Sequence, residues 1–167
     1  MKFHIEHTFR GISLADYEKL SFSETFNQAL CKSVQLGREV RSLEDKNGHF
    51  SRVLQVAPKD REIPGPVAKI LGASRIEYTE YMDYDWGSYK AHWRTVSSVM
   101  TDKVSTSGSM GFDQRPGGVL RWVDGEIKVK LLAVGGVIER FIVSDIERSY
   151  EKAAAFTQSW IDKGGEV

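Results

Sequence analysis

The chain has 167 residues, with 23 basic and 23 acidic side chains and no block of five or six like charges. That balance excludes strong general attraction to nucleic acid or to an anionic membrane. The length suits one domain over 1–167, able to bury roughly 70% of the surface its unfolded form exposes. The single cysteine, Cys31, excludes an internal disulfide framework and fits a reducing compartment.

No apolar run resembles a signal peptide, no stretch nears the length of a membrane span, and no lipidation motif occurs. The expectation is a cytoplasmic protein with at most transient membrane contact. The oligomeric state is left open.

Phe3, Ile5, His7 and Phe9 alternate with polar neighbours, which predicts a first strand that Gly11 ends. Ser13 with Asp16 resembles a helix N-cap, and Ser21 with Glu24 forms a capping-box pattern. Two short helices, near 13–20 and 23–32, follow from these signals, and Gly37 marks the end of the helical stretch. Asn47-Gly48 is a hairpin signal between strands over 36–46 and 49–57. Pro66 then suits the first turn of a short helix, and Gly72 its stop.

From 74 to 132 strand follows strand. Even positions from Ile76 to Trp86 are mostly apolar or aromatic, and odd positions carry that character from Tyr89 to Val99. A turn at Trp86-Gly87 sets Tyr84 opposite Tyr89 and Asp83 opposite Lys90, so both faces agree. A turn at Thr101-Asp102 places Val104, Met110 and Phe112 inward on the next strand. Asp124-Gly125 is a hairpin dipeptide, yet a hairpin there would oppose Val123 to Glu126 and Arg121 to Lys128. One long strand over 118–132, with or without a bulge at Gly125, keeps the apolar residues on one face. The strand count is then seven.

After Gly135-Gly136, the apolar spacing over 137–163 predicts a long amphipathic helix. Glu139 in its first turn and Lys163 in its last complement the dipole, and Gly164 stops it.

This order of elements, with Ile63-Pro64-Gly65-Pro66 through Gly72 and the junction Leu131-Leu132-Ala133-Val134-Gly135-Gly136-Val137-Ile138-Glu139, resembles the START-like superfamily (SRPBCC, Bet v 1-like, helix-grip). It looks closest to a bacterial branch of unknown function, in which a proline usually stands where this chain has Ala133. More distantly it is similar to the PRELI-like phospholipid-transfer group. The resemblance implies an α+β helix-grip fold: a curved seven-stranded antiparallel sheet, two short helices and a long C-terminal helix enclosing a cavity. In that superfamily the cavity takes lipids, sterols, polyketides or other apolar molecules. Some members are enzymes and some co-chaperones, so fold alone does not choose among these roles.

The sequence has no Gly-rich phosphate loop, Gly-x-Ser-x-Gly elbow or His-Glu-x-x-His motif, so no cofactor or metal is expected. His4 and His7 fall on opposite faces of a strand, a poor metal pair. Cys31 reads as a packing residue of a short amphipathic helix.

The informative residues are polar ones facing inward. The hairpin registers put Glu80, Trp93, Met110 and Arg121 in one row, with Glu80 and Arg121 roughly 14 Å apart along the sheet. His7 lies near Arg121 if the first and last strands pair, as they do in the superfamily. Each buried charge needs a partner, water or a ligand's polar head. Glu80, Arg121 and His7 are therefore the expected polar end of a pocket otherwise lined by Tyr78, Tyr84, Tyr89, Trp93, Met110, Phe112, Phe141 and Tyr150. The competing reading makes the aromatics ordinary core and sets Glu80 and Arg121 at a wet rim.

The segment from Pro64 to Gly72 either caps the cavity mouth or packs as a crossover. Trp86, at a turn tip, either covers a neighbour or meets a partner.

The leading functional expectation is a non-enzymatic binder or carrier of a lipid-like molecule. One alternative is a cyclase-, aromatase- or hydrolase-like enzyme using Glu80 or His7. Another is a co-chaperone-type interaction module.

Overall fold

The computed structural model describes residues 1–59 and 62–166. Alternating burial along Lys2–Arg10 (β1) sends Phe3, Ile5 and Phe9 to one face. Two helices follow, Leu14–Phe22 (α1) and Glu24–Ser33 (α2). Ser13 caps α1, its Oγ accepting the Asp16 N–H at 3.1 Å. The predicted cap of α2 is corrected: Ser21 stays helical and donates its hydroxyl to the Tyr17 carbonyl, while extended Ser23 accepts the Phe26 N–H. Gly37 is also reassigned. The chain turns at Gln35 (φ 57°), and Gly37 already belongs to the next strand.

Leu36–Lys46 (β2) and His49–Pro58 (β3) form the Asn47-Gly48 hairpin, with a register shift between Val40 and Ser42. Gly65–Leu71 (α3) has proline in its first turn and ends at left-handed Gly72 (φ 69°). Tyr78–Asp85 (β4), Lys90–Ser97 (β5), Val104–Arg115 (β6) and Gly118–Val129 (β7) complete the sheet.

Among the described residues the sheet has seven strands in the order β1-β7-β6-β5-β4-β3-β2, every neighbouring pair antiparallel. The chain crosses from one edge to the other through α1 and α2; the remaining strands meander.

Two expected registers are corrected. Tyr84 pairs with Ala91 rather than Tyr89, and Asp83 with His92 rather than Lys90. Trp93 likewise pairs with Gly108 rather than Met110. Both turns are wider than the dipeptides that mark them, with left-handed residues at Gly87, Tyr89 and Met100. Each slip is two residues, so every side chain keeps its face while the rows across the sheet slide.

β7 runs through Asp124-Gly125 unbroken, and no bulge occurs at Gly125. The glycine has a packing cause instead: a Cβ there would lie 2.2 Å from the Phe3 ring. Gly108 sits beside it, and Phe3 and Trp93 approach across the two glycines, centroids 6.3 Å apart. On the outer face Trp122 lies over Gly111 in the same way.

The helix Gly135–Asp162 (α4) has 28 residues, about 42 Å at 1.5 Å per residue, and packs against β1 and β7. It starts two residues earlier than expected, which moves Glu139 out of the first turn. There Glu139 accepts the Val129 N–H at 2.9 Å and ties the helix to the end of β7.

Two buried clusters fill the interior. One joins Phe3, Ile5, Val123 and Ile127 to α3 and the N-terminal half of α4. The other packs Phe9, Phe50, Tyr84 and Phe112 against Tyr17 and Phe22 of α1. Between them the interior is not filled.

Candidate functional site

The unfilled space is a cavity of about 350 Å³ between the concave sheet and α4, reached also by α1, α2 and the end of α3. Strand alternation decides what lines it. Tyr78 and Glu80 of β4, Trp93 of β5, Met110 of β6 and Arg121 of β7 face inward, and Phe141 and Tyr150 close it from α4.

Tyr84, Tyr89, Phe112 and His7 lie outside the wall. Tyr84 and Phe112 are solid core against α1, and Tyr89 packs at the edge of the same cluster. His7 stands behind Arg121, towards α4. The single row of Glu80, Trp93, Met110 and Arg121 is likewise corrected: Glu80 heads the row Thr95, Thr106, Ile127, whereas Arg121 lies between Phe112 and His7. The two wider turns, together with a β6–β7 register that sets Phe112 rather than Met110 opposite Arg121, move Glu80 and Arg121 into different rows of one cavity.

Arginine supplies much of the polar wall. Arg38 of β2 makes a two-pronged pair with Glu24 of α2, at 2.7 and 2.6 Å. That guanidinium, first among the causes, holds the Glu24 carboxyl below its ordinary range. Arg52 of β3 is buried and reaches Glu80 through Nη2 at 3.4 Å, a loose contact. Its Nε and Nη1 have no acceptor among the described residues.

Arg121, also buried, offers Nη2 to His7 Nδ1 at 3.1 Å, and its Nε has no acceptor among the described residues either. Its guanidinium lies between the Phe9 and Tyr150 rings, 5.1 and 5.0 Å from their centroids. Among the described residues no carboxylate pairs with it. Trp93 Nε1 is a fourth buried donor without an acceptor.

His7 satisfies both neighbours in one tautomer: Nδ1 accepts from Arg121 while Nε2–H donates to Glu151 at 3.1 Å. Burial, reinforced by Arg121, lowers the imidazole pKa against the opposing pull of Glu151. Burial pushes the Tyr150 phenol up to about 12, and it raises Tyr17 and Tyr78 too. These phenols are neutral near pH 7 and can donate. Cys31 belongs to the cavity wall rather than to packing alone, and burial raises its thiol pKa.

Arg52, Arg38, Glu24 and Tyr17 are site residues that sequence reasoning missed. Arg52 carried a readable signal, a charge on the apolar face of Phe50, Leu54 and Val56. Among the described residues no group of three or more His, Cys, Asp or Glu side chains could hold a metal ion. No described helix is long and apolar enough to cross a membrane.

Several solved structures share the fold over nearly the whole chain. The Thermus thermophilus protein TTHA0849 superposes with a TM-score of 0.64 at 11% identity, covering 98% of this chain and 99% of its own. The Zhui aromatase/cyclase from a Streptomyces species gives 0.61 at 11% identity, covering 100% of both chains. Norcoclaurine synthase from Thalictrum flavum gives 0.61 at 12% identity, covering 94% of this chain and 87% of its own. At such identities the likeness shows the START-like helix-grip fold alone. No curated protein matches the sequence. The family model described as "Protein of unknown function (DUF2505)" matches residues 4–161, and the chain therefore belongs to the DUF2505 family.

Proposed function

We propose that this chain binds an apolar, lipid-like small molecule in its interior cavity and serves as its carrier or receptor. The carrying observation is an apolar-walled cavity of about 350 Å³ in which buried N–H groups of Arg52, Trp93 and Arg121 have no acceptor among the described residues. Mixed walls of this kind, apolar with a few oriented polar groups, characterise ligand sites. An unpaired buried donor is costly, and a ligand oxygen would relieve it. Helix-grip neighbours that include a named aromatase/cyclase support a cavity put to use.

A cyclase- or hydrolase-like enzyme using Glu80 or His7 has weaker support. Glu80 already faces Arg52, and His7 lies outside the wall. The phenols and the thiol at the wall are held in their protonated, unreactive forms. For a co-chaperone-like module the observation is exposed Leu132 and Val137 at the β7–α4 junction. Trp86 gives that reading nothing: its ring covers Phe22 and Tyr84, and its Nε1 donates to Asp45.

Mass spectrometry of solvent extracts from natively purified protein tests the proposal. An apolar compound should co-purify in near-stoichiometric amount, or the emptied protein should take up one equivalent of the neutral dye Nile red. Ala153→Phe, which adds bulk at the cavity wall, should abolish uptake while the fold is kept. No extractable compound together with no dye uptake would overturn it.

A further inference from the structure

The three arginines of the cavity wall are not equivalent. Arg38 has the Glu24 carboxylate at 2.6 Å, and Arg52 has Glu80 at 3.4 Å. Arg121 has no carboxylate among the described residues. Its hydrogen-bonded neighbours are two neutral groups, the His7 ring and the Tyr17 hydroxyl, and rings of Phe9 and Tyr150 flank it. Arginine does not deprotonate in proteins, so the charge stays buried. A buried cation with an idle Nε–H stores a large preference for an anion.

The surroundings suit one small anion. Tyr17, Ser21 and Tyr150 join Arg121 in the cavity wall, and the two phenols are neutral hydroxyls that donate. The opposite end is apolar, walled by Leu71, Val104, Phe141 and Ile142. One end therefore offers a single positive charge with hydroxyl donors, and the other offers hydrocarbon.

We propose that the occupant is an amphipathic carboxylic acid, its carboxylate on the Arg121 guanidinium and its apolar body running towards α3. The inference rests on the cavity being a ligand site and adds the class of ligand and its orientation. A single unpaired cation matches a carboxylate's single charge; a phosphate monoester, at −1.5 to −2, would bring more than Arg121 can neutralise. Arg52 and Arg38 already have carboxylates, and an acid head beside Glu80 would meet like charge.

The test is displacement of Nile red from the full chain at pH 7.5 by dodecanoate, 1-dodecanol and dodecyl phosphate. Dodecanoate should bind at least tenfold more tightly than 1-dodecanol, the worth of one buried charge-assisted pair. Arg121→Gln should remove that preference, weakening dodecanoate at least tenfold more than 1-dodecanol. Should the variant not fold, the Arg121 Nε–H resonance of the wild-type protein, followed by NMR, should shift on adding dodecanoate.

Equal affinity for acid and alcohol, or tighter binding of dodecyl phosphate, would overturn the carboxylate and leave the cavity reading standing. A preference that survives Arg121→Gln, or a stationary Nε–H resonance, would overturn the role of Arg121. No Nile red uptake at all would bring down the cavity reading beneath it.

Discussion

Arg121 and His7 face each other across the β1–β7 ladder, with Nη2 of the one 3.1 Å from Nδ1 of the other. The contact exists only while His7 is neutral, because a protonated Nδ1 would turn a donor towards a cation. Glu151 holds the required tautomer from the far side of the ring.

Stability should therefore fall as the solution is acidified through the histidine range. Burial and Arg121 hold the folded His7 pKa below its ordinary 6.5, so the unfolded chain binds the extra proton first and is favoured as pH drops. His4 and His49 work in the opposite sense, being raised chiefly by hydrogen bonds to Asp124 and Asp85. The clean measurement is wild type against His7→Gln, whose neutral amide can serve both Arg121 and Glu151. Between pH 7.5 and 5.5 the wild-type melting temperature should drop by roughly 2–4 °C relative to the variant, for each kcal/mol lost. Parallel pH profiles would count against the neutral imidazole.

Glu18 is a buried acid with a defined task. Its carboxylate accepts the Tyr84 hydroxyl and the Gly87 N–H, so one side chain of α1 pins both the end of β4 and the turn after it. Glu18→Ala strands two donors and should cost about 2–4 kcal/mol by urea unfolding. Tyr84→Phe removes one donor along with its need and should cost about 1 kcal/mol. Equal losses would mean that the Gly87 contact contributes nothing.

Gly125 should not tolerate a methyl group. A Cβ would sit 2.2 Å from the Phe3 ring, which itself packs against Trp93, and repacking should cost about 1–3 kcal/mol. Combining Gly125→Ala with Phe3→Leu should cost less than the sum of the two single changes. Gly108→Ala should be worse, since its Cβ would meet the Asp124 carbonyl oxygen at 1.9 Å, and backbone cannot step aside.

Ala133 turns the chain from β7 into α4 at φ 66°, a conformation that disfavours any side chain. Ala133→Gly should stabilise by about 0.5–1 kcal/mol in thermal melts, the relief of strain exceeding the added unfolded-state freedom. Ala133→Pro should destabilise, because the pyrrolidine ring holds φ near −65°. A stable Ala133→Pro protein would show that the junction can re-form in another geometry.

Much of this architecture was readable from period and punctuation. Alternation assigned each strand's inner face, and Asn47-Gly48 marked its hairpin. The charge conflicts across Asp124-Gly125 kept β7 whole. The same alternation turns Glu80, Trp93, Met110 and Arg121 inward, and the cavity wall contains all four. Tyr84 and Phe112 point the same way yet are core, because alternation gives the face of the sheet and not the thickness of what covers it.

Register escaped for a related reason. The turns after β4 and β5 adopt wider loops with left-handed residues, and loop geometry, not strand chemistry, sets which residues stand opposite. The cap at Ser23 is hidden because Ser21, two residues earlier, has the capping-box glutamate three positions on, where Ser23 has Phe26. Arg52 was overlooked although its neighbours on the same face are apolar.

Residue periodicity, and the places where glycine and proline break it, suffice for the seven strands, the long closing helix and which side of the sheet is interior. Packing of distant segments set the rest: Arg121 has His7 but no carboxylate among the described residues, Arg52 meets Glu80, and a cavity survives between two buried clusters. Those are differences between distant segments brought together: whether a charge finds a partner, and whether side chains fill a volume, depends on contacts that no local pattern encodes.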